Sequence, residues 1–373
     1  MEKHLHIVCL DVPYPVDYGG VFDLFYKIKS LSEHGVKIHL HCFEYGRGEQ
    51  TELEKYCVEV IYYPRNKGHK GFSTEIPYIV ASRSSKSVAD NLNKDNYPVV
   101  LEGIHCTYPL FAGQLKKKKV YVRLHNVEHT YYRHLCRHEN SLLKKIYFFR
   151  ESRLLKRYEA SIANKASFIT VSEKDMLSYK EYFHSRNISY LPVFTPFQEV
   201  HSEEGSGNYC LYHGNLSVAE NEKAAIWLLE KVFARMDIPF IIAGRNPSAR
   251  LQRIAEVSAN TCLIANPDEQ EIGDLIARAH INVLPSFNET GIKLKLLHAL
   301  FKGRHCVVND QAVRDSAIGA ACHVANTPDE ITAVIRNLFT DPFQSEDIRF
   351  RKKLLTGHYN NDRNAEQLIA LIW

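Results

Sequence analysis

The stretch INVLPSFNETGIKLKLLHALFKGRHCVVND (residues 281–310) predicts a strand, a polar loop, an amphipathic helix and a second strand. The first strand ends at Pro285, and the helix, predicted over 291–302, stops before Gly303. A buried strand followed by a covering helix is the repeating unit of a doubly wound parallel sheet. This stretch therefore predicts an α/β protein.

The same alternation runs along the rest of the chain. Helices are predicted over 21–34 and 140–163, and short apolar runs predict strands at 4–10, 36–43, 58–63, 98–102, 120–125, 166–172, 209–214, 239–244, 261–266, 305–310 and 321–325. A segment rich in Pro, acidic residues, Ser and Gly interrupts the pattern at 191–208 and predicts a linker. We expect two Rossmann-like domains, 1–196 and 197–355, and a C-terminal helix in 356–373 that packs back on the first.

The composition is that of an ordinary globular protein with an uneven charge. Hydrophobic residues make up 45% of the 373 residues, and the net charge of +4 is divided into +8 for residues 1–196 and −4 for residues 197–373. A basic N-terminal half favours an anionic partner such as phospholipid headgroups, a lipid diphosphate or nucleic acid. The basic residues accompany no recognisable nucleic-acid-binding module, so nucleic acid is not expected as a partner.

Targeting and cysteine patterns indicate a cytoplasmic protein. The nine cysteines are scattered without a CxxC pair, which is typical of buried, reduced thiols. The N-terminal apolar run is too short for a signal peptide, and no run approaches the roughly 20 apolar residues of a spanning helix.

The loop before the predicted helix 291–302 has the features of an anion site. Gly291 allows a ligand to approach the backbone, and the amides at a helix N-terminus suit a diphosphate. Lys293 and Lys295 are predicted in the first turn, where a basic side chain opposes the helix dipole. Their position therefore indicates a bound anion.

This segment resembles the nucleotide-sugar loop and helix of the retaining family 4 glycosyltransferases, also described as glycosyl transferases group 1. The Gly-Ile-Lys-x-Lys variant of the family pattern is matched by Gly291, Ile292, Lys293 and Lys295, and Ala299, Gly303, Val307 and Val308 match the remainder. The family often has two glutamates where this chain has Thr290 and His298. The resemblance implies that Thr290 and His298 also contact the donor and that Glu289 takes the catalytic place of the first glutamate.

Four further segments resemble parts of the same family. His213, Gly214, Asn215, Leu216 and Asn221 resemble its first C-domain loop, and Gly244 and Arg245 the loop whose basic residue neutralises the donor diphosphate. The pair Gly19 and Gly20 resembles the N-domain glycine-rich loop. His125 follows a strand where the family often places a catalytic histidine facing the donor sugar.

The resemblance implies a GT-B fold, two Rossmann-like doubly wound parallel-sheet domains that face each other across a cleft. It also implies transfer of a hexosyl unit, with retention, from a nucleotide diphosphate sugar to a saccharide or lipid-linked acceptor hydroxyl. Surface polysaccharide biosynthesis, for capsule or lipopolysaccharide, is the expected pathway. No metal and no other cofactor are expected, and Arg245, Lys293 and the amides of helix 291–302 would stabilise the leaving diphosphate.

Residues 140–165 suggest peripheral attachment to the inner face of the cytoplasmic membrane. Apolar and basic residues are interleaved there, as in helices that lie on anionic membranes. The alternative is a helix that turns its apolar residues to the core and its basic residues to solvent.

Two other functions are compatible with the sequence. A sugar-nucleotide epimerase of GT-B architecture would act on the donor alone. A degenerate transferase without the two glutamates would serve as a binding subunit and would bind the nucleotide-sugar without turnover.

Overall fold

The computed structural model describes residues 2–16, 19–115, 117–139, 141–287, 293–314 and 316–373. The chain forms two compact units, one of residues 2–196 and 359–373 and the other of residues 197–287 and 293–358. Each unit is built on one parallel sheet with helices between successive strands.

The sheet of the first unit has seven parallel strands in the order β3-β2-β1-β4-β5-β6-β7. Its strands are β1 (Lys3–Cys9), β2 (Val36–Glu44), β3 (Glu59–Pro64), β4 (Val99–Glu102), β5 (Val120–Leu124), β6 (Ser167–Thr170) and β7 (Ile188–Tyr190). Its helices are α1 (Gly19–Glu33), α2 (Tyr78–Ala81), α3 (Lys86–Leu92), α4 (Tyr108–Phe111), α5 (Glu128–His138), α6 (Leu142–Ile162), α7 (Glu173–Phe183) and α15 (Asn361–Ile372).

The sheet of the second unit has six parallel strands in the order β10-β9-β8-β11-β12-β13. Its strands are β8 (Cys210–Asn215), β9 (Phe240–Arg245), β10 (Thr261–Ala265), β11 (Ile281–Val283), β12 (His305–Val308) and β13 (His323–Val324). Its helices are α8 (Ala219–Lys231), α9 (Ala249–Glu256), α10 (Glu269–Arg278), α11 (Leu294–Lys302), α12 (Asp310–Val313), α13 (Pro328–Leu338) and α14 (Ser345–His358).

Both sheets have the Rossmann strand order, which confirms the predicted fold class. The order reverses between β1 and β4 in the first unit and between β8 and β11 in the second. In open parallel sheets, ligands bind beyond the carboxyl ends of the strands at this reversal. Ligand-binding residues are therefore expected in the loops that follow these four strands and their neighbours.

The central strands of the first sheet are buried on both faces. Ile7 and Val100 belong to one hydrophobic cluster, whereas their neighbours Val8 and Leu101 belong to another on the opposite face. Successive side chains of a strand point to opposite faces, so continuous apolar runs such as VVLE are needed where helices cover both sides.

The C-terminal helix α15 packs within the first unit. Leu368 and Ile372 are buried in one of its clusters, and the side chain of Asn361 donates to the carbonyl of Thr195 at 2.7 Å and accepts from its amide at 3.0 Å. The hydroxyl of Tyr121 donates to the carbonyl of Leu371 at 2.9 Å.

Two local features differ from the prediction. Strand β7 was missed because its apolar run, ISY, is only three residues long. Helix α11 begins at Leu294, and Lys293 precedes it with a ψ of 88°, so Lys293 is the cap residue and lies outside the first turn. Lys295 does lie in that turn.

Candidate functional site

Two glycines bring the ends of β8 and β9 together in the second unit. Gly214 and Gly244 are partners in the parallel register, and a Cβ atom on Gly244 would overlap the carbonyl oxygen of Gly214. The next pair is Asn215 with Arg245, and the amide of Leu216 donates to the carbonyl of Arg245 at 2.9 Å. The close approach places Asn215 and Arg245 side by side at the carboxyl edge of the sheet.

The side chain of Arg245 is exposed at this edge. The residue after it, Asn246, adopts a positive φ of 51°, and its amide donates to the side chain of Asn266 at 2.8 Å. The Asn266 side chain, from beyond β10, thus fixes the turn directly after β9. The exposed Arg245 side chain precedes this turn, so its guanidinium is accessible to an anion.

Lys295 is held at the start of α11 by two side chains from the β8–α8 region. Its Nζ donates to the Asn221 amide oxygen at 3.0 Å and to the Tyr212 hydroxyl at 3.2 Å. The Asn221 amide nitrogen donates in turn to the carbonyl of Asn215 at 2.9 Å. This chain of contacts connects the first turn of α11 with the end of β8 and fixes the direction of the ammonium.

The two lysines at the start of α11 are easier to deprotonate than ordinary lysines. Burial lowers the pKa of Lys293 to about 8, although Glu220 opposes the shift. Burial, together with the neighbouring charge of Lys293, lowers the pKa of Lys295 to about 7. Two basic side chains thus lie close together at a helix N-terminus, where an anion would stabilise the charged form of both.

His298 lies one turn further along α11 and packs against His213 of β8. The ring of His298 stacks on Phe197 with centroids 4.8 Å apart and meets His213 edge-on at 6.1 Å. Burial lowers the pKa of His298 to about 4, which keeps the ring neutral near pH 7. Within the described residues, Nε2 of the buried His213 has no hydrogen-bond partner. A neutral ring, that of His298, thus stands where the resemblance predicts the second glutamate.

The loop after β11 is anchored by a residue that the sequence analysis did not single out. The Asn309 side chain accepts from the amide of Ser286 at 2.9 Å and donates to its carbonyl at 2.8 Å. Asn309 directly follows β12, so the VVND sequence carried a signal for this clamp. The predicted site residues Glu289, Thr290, Gly291 and Ile292 lie outside the described residues.

In the first unit, Gly19 and Gly20 open helix α1, two residues before the predicted start. His125 directly follows β5, and its Nε2 lies 3.1 Å from Oε2 of Glu102, the last residue of β4. Its Nδ1 lies 4.0 Å from Oδ2 of Asp23 on α1. His125 is therefore held between two buried carboxylates at the strand-order reversal.

A lysine and an arginine neutralise those carboxylates. Lys27 Nζ lies 2.6 Å from Glu102 Oε1 and 3.3 Å from Asp23 Oδ2, and Arg123 Nε lies 2.7 Å from Asp23 Oδ2. Burial alone would raise the pKa of Asp23, but Arg123 and Lys27 outweigh it and hold that pKa well below its ordinary value. The sequence analysis missed these ion pairs because Asp23 and Lys27 lie 75 to 100 positions before Glu102 and Arg123, and such a separation carries no sequence signal.

The second unit matches a known family. Residues 207–341 match the family described as Glycosyl transferases group 1. This part of the chain is a glycosyltransferase domain of the group 1 type. The match covers β8 to α13, so it includes both the β8 and β9 loops and α11 of this transferase.

Solved structures share the transferase's fold over nearly its whole length. TarM has a TM-score of 0.70 at 12% identity and covers 100% of this chain and 99% of its own. The sucrose-phosphate synthase of Thermosynechococcus elongatus has a TM-score of 0.71 at 12% identity over 99% and 98% of the two chains. A glycosyltransferase from Rickettsia africae has a TM-score of 0.67 at 10% identity over 100% and 98%. At such identities the likeness concerns the fold alone.

A curated relative comes from Klebsiella pneumoniae. The transferase is 29% identical over 314 residues, 79% of each chain, to an uncharacterized 44.6 kDa protein in the cps region of that organism. Among the described residues, no helix combines the length and the hydropathy needed to cross a membrane.

Proposed function

We propose that this transferase moves a hexosyl unit, with retention, from a nucleotide diphosphate sugar to an acceptor hydroxyl. The observation that carries the proposal is that Arg245 pairs in register with Asn215, whose carbonyl is connected through the Asn221 side chain to Lys295 in the first turn of α11. This carboxyl edge of the second sheet is suited to the diphosphate of the donor.

The leaving group explains why cations are needed there. The bond from the sugar to the diphosphate breaks with its electrons on the phosphate oxygen, so negative charge grows as the reaction proceeds. The Lys295 ammonium, the Arg245 fork and the first amides of α11 stabilise that charge, with Lys293 beside them. We assign Gly214, Asn215, Thr290, Gly291, Ile292 and His298 to donor binding, and Glu289 and His125 to the reacting sugar.

We infer that the acceptor is a saccharide or a lipid-linked saccharide of a surface polysaccharide. The relative's place in a cps region supports this, as does the basic charge of residues 1–196. A lipid-linked acceptor would bring the enzyme to the membrane surface. The first two turns of α6 are suited to that contact, because Leu142, Leu143 and Ile146 are 76%, 82% and 66% exposed next to Lys144 and Lys145.

The reaction is tested in two steps. Thermal unfolding is measured with UDP-, GDP-, ADP-, CMP- and dTDP-linked sugars, since a ligand at 100 times its Kd stabilises the fold by about 2.7 kcal/mol. The donor so found is incubated with and without saccharide acceptors, and the products are identified by NMR. Transfer to an acceptor with the anomeric configuration kept is the expected result. Conversion of the donor sugar without any acceptor would identify an epimerase, and binding without any reaction would identify a binding subunit.

A further inference from the structure

His125 lies beside four buried charged side chains that come from three elements of the first unit. Asp23 and Lys27 belong to α1, Glu102 ends β4 and Arg123 belongs to β5, and each is at most 3% exposed. Removing charges from water costs free energy that their mutual attraction seldom returns in full. Stabilisation of the fold therefore does not by itself explain this cluster, which indicates a second role.

Half of the cluster is explained by the architecture. Arg123 binds Asp23 through Nε and Nη2, at 2.7 and 2.8 Å, and also donates to the carbonyl of Pro192 at 2.9 Å. Asp23 accepts in addition from the amide of Phe194 at 2.9 Å. This pair thus joins α1, β5 and the segment after β7.

Glu102 and Lys27 connect that pair to the histidine. Oε1 of Glu102 lies 2.6 Å from Lys27 Nζ, and its Oε2 lies 3.1 Å from His125 Nε2. Burial on its own would raise the pKa of Glu102, but Lys27 and the hydrogen bond from His125 lower it below its ordinary value. The carboxylate is therefore ionised, and since an ionised carboxylate only accepts, the ring nitrogen that faces it carries the hydrogen.

We propose that Glu102 and Lys27 are positioning residues for His125: the Glu102 carboxylate holds the Nε2–H of the ring, and the Lys27 ammonium holds the carboxylate. One ligand atom each from Asp23, Glu102 and His125 lies within 4.8 Å of the others, a spacing that a divalent metal ion could use. Lys27 lies against both carboxylates, so the chain supplies its own cation in that place. The part that His125 plays in the reaction rests on the proposed function, whereas its positioning does not.

Nitrogen NMR of histidine tests the positioning directly. In protein labelled with ¹⁵N-histidine, the signals lost in His125→Gln are those of His125, and they are expected to show one tautomer with the hydrogen on Nε2. The double variant Lys27→Met/Glu102→Gln keeps the net charge and removes the carboxylate that selects the tautomer. A glutamine amide both donates and accepts, so it can pair with either form of the ring nitrogen. A mixture of tautomers is then expected at His125.

Glu159→Gln is the matched control. Glu159 is also buried in the first unit and binds another histidine, His129, at 2.7 Å. This variant is expected to leave the His125 signals in place. The proposal is overturned if the double variant keeps the wild-type tautomer, or if Glu159→Gln disturbs His125 to the same extent.

The role of Lys27 as a built-in cation has a test of its own. Lys27→Ala removes the ammonium and leaves space beside the Asp23, Glu102 and His125 ligand atoms. This variant is expected to bind Co²⁺ with visible absorption bands that disappear when His125→Gln is added, whereas the wild type is expected to show no such bands. Bands in the wild type that depend on His125 would overturn the proposal, as would a folded Lys27→Ala variant without them.

Neither test needs a sugar donor. A failure of donor binding or transfer would contradict the proposed function and leave the tautomer result intact, and the reverse also holds. If Lys27→Ala does not fold, the NMR comparison with the charge-neutral double variant decides the proposal by itself.

Discussion

Lys295 carries its charge in a place where burial disfavours it. With a pKa of about 7, Lys295 is deprotonated in a large fraction of the molecules just above neutral pH. A diphosphate against Nζ would favour the charged form and raise that pKa. We therefore expect the protein to take up about one proton when it binds the donor at pH 8. Most of this uptake is expected at Lys295, because this side chain is neutral in most molecules at that pH before the donor binds.

Calorimetry in two buffers of different ionisation enthalpy measures this uptake. The apparent binding enthalpy is expected to differ between the buffers for the wild type and to differ much less for Lys295→Met. Equal enthalpies in both buffers for the wild type would show that Lys295 does not meet the anion.

Gly244 is required by the close approach of two strands. A methyl group there would overlap the Gly214 carbonyl oxygen and reach within 2.9 Å of the Leu216 side chain. Gly244→Ala is expected to lower the free energy of unfolding by about 1–3 kcal/mol, as overpacking does, and to weaken donor binding because Arg245 moves. Gly357→Ala in α14 is the control, since nothing lies within 4 Å of its added Cβ. Equal stability of the two variants in urea unfolding would refute this account.

At the scale of single elements, α6 divides into two parts. Leu154, Leu155, Tyr158 and Ile162 are buried, whereas Leu142, Leu143, Ile146 and Phe149 are exposed. The interleaved apolar and basic residues were compatible with a helix that faces a membrane and equally with a helix that faces the core. Only tertiary packing shows that the C-terminal turns face the core and the N-terminal turns do not.

The exposed turns of α6 predict selective membrane binding. The wild type is expected to sediment with vesicles that contain anionic phospholipid and to remain in solution with neutral vesicles, because each basic residue near the surface adds about 1 kcal/mol of attraction. Leu142→Ser/Leu143→Ser is expected to reduce the bound fraction severalfold. Leu177→Ser, at a leucine of α7 that is 60% exposed, is the control and should bind like the wild type. Unchanged binding of the double variant would assign the contact to another surface.

Helix α11 shows what local pattern predicts and what it does not. The apolar periodicity predicted the helix, and the family pattern pointed to Lys295. The support that Tyr212 and Asn221 give to Lys295 depends on contacts between residues more than 70 positions apart. Chain spacing carries no information on such contacts.

At the scale of the whole molecule, alternation of strands and helices was enough to predict two Rossmann-like sheets. The strand orders, and with them the reversal points, follow from pairing between strands distant in sequence. The Asp23, Lys27, Glu102 and Arg123 cluster could not be predicted for the same reason, because the fold alone brings these charges to one end of β4 and β5.

Buried neutral histidines make the stability of the transferase depend on pH. Burial lowers the pKa of His41 to about 3, and that of His305 to about 4, from an ordinary 6.5. The unfolded chain takes up these protons below pH 6.5 and the native state does not, so stability is full above 6.5 and falls as the pH drops towards 4. A histidine as deeply buried as His41 contributes up to about 1.4 kcal/mol per pH unit in this range, and His305 contributes less.

His41→Gln isolates one of these contributions. Between pH 6 and 4, its free energy of unfolding is expected to fall less steeply than that of the wild type, by about 1.4 kcal/mol per pH unit. His201→Gln, at an exposed histidine, should keep the wild-type slope. Urea unfolding at a series of pH values gives the slopes, and identical slopes for all three proteins would contradict a neutral, buried His41.

The central claim is that the donor diphosphate binds where β8, β9 and α11 meet, and the Kd of the donor in matched variants tests it most directly. Arg245→Ala and Lys295→Met are each expected to raise that Kd about 10- to 100-fold, because a hydrogen bond to a charged group is worth about 1.5–3 kcal/mol. Arg253→Ala removes another exposed arginine from the same unit and should bind like the wild type. Wild-type affinity in both Arg245→Ala and Lys295→Met would contradict the claim and place the donor elsewhere on the transferase.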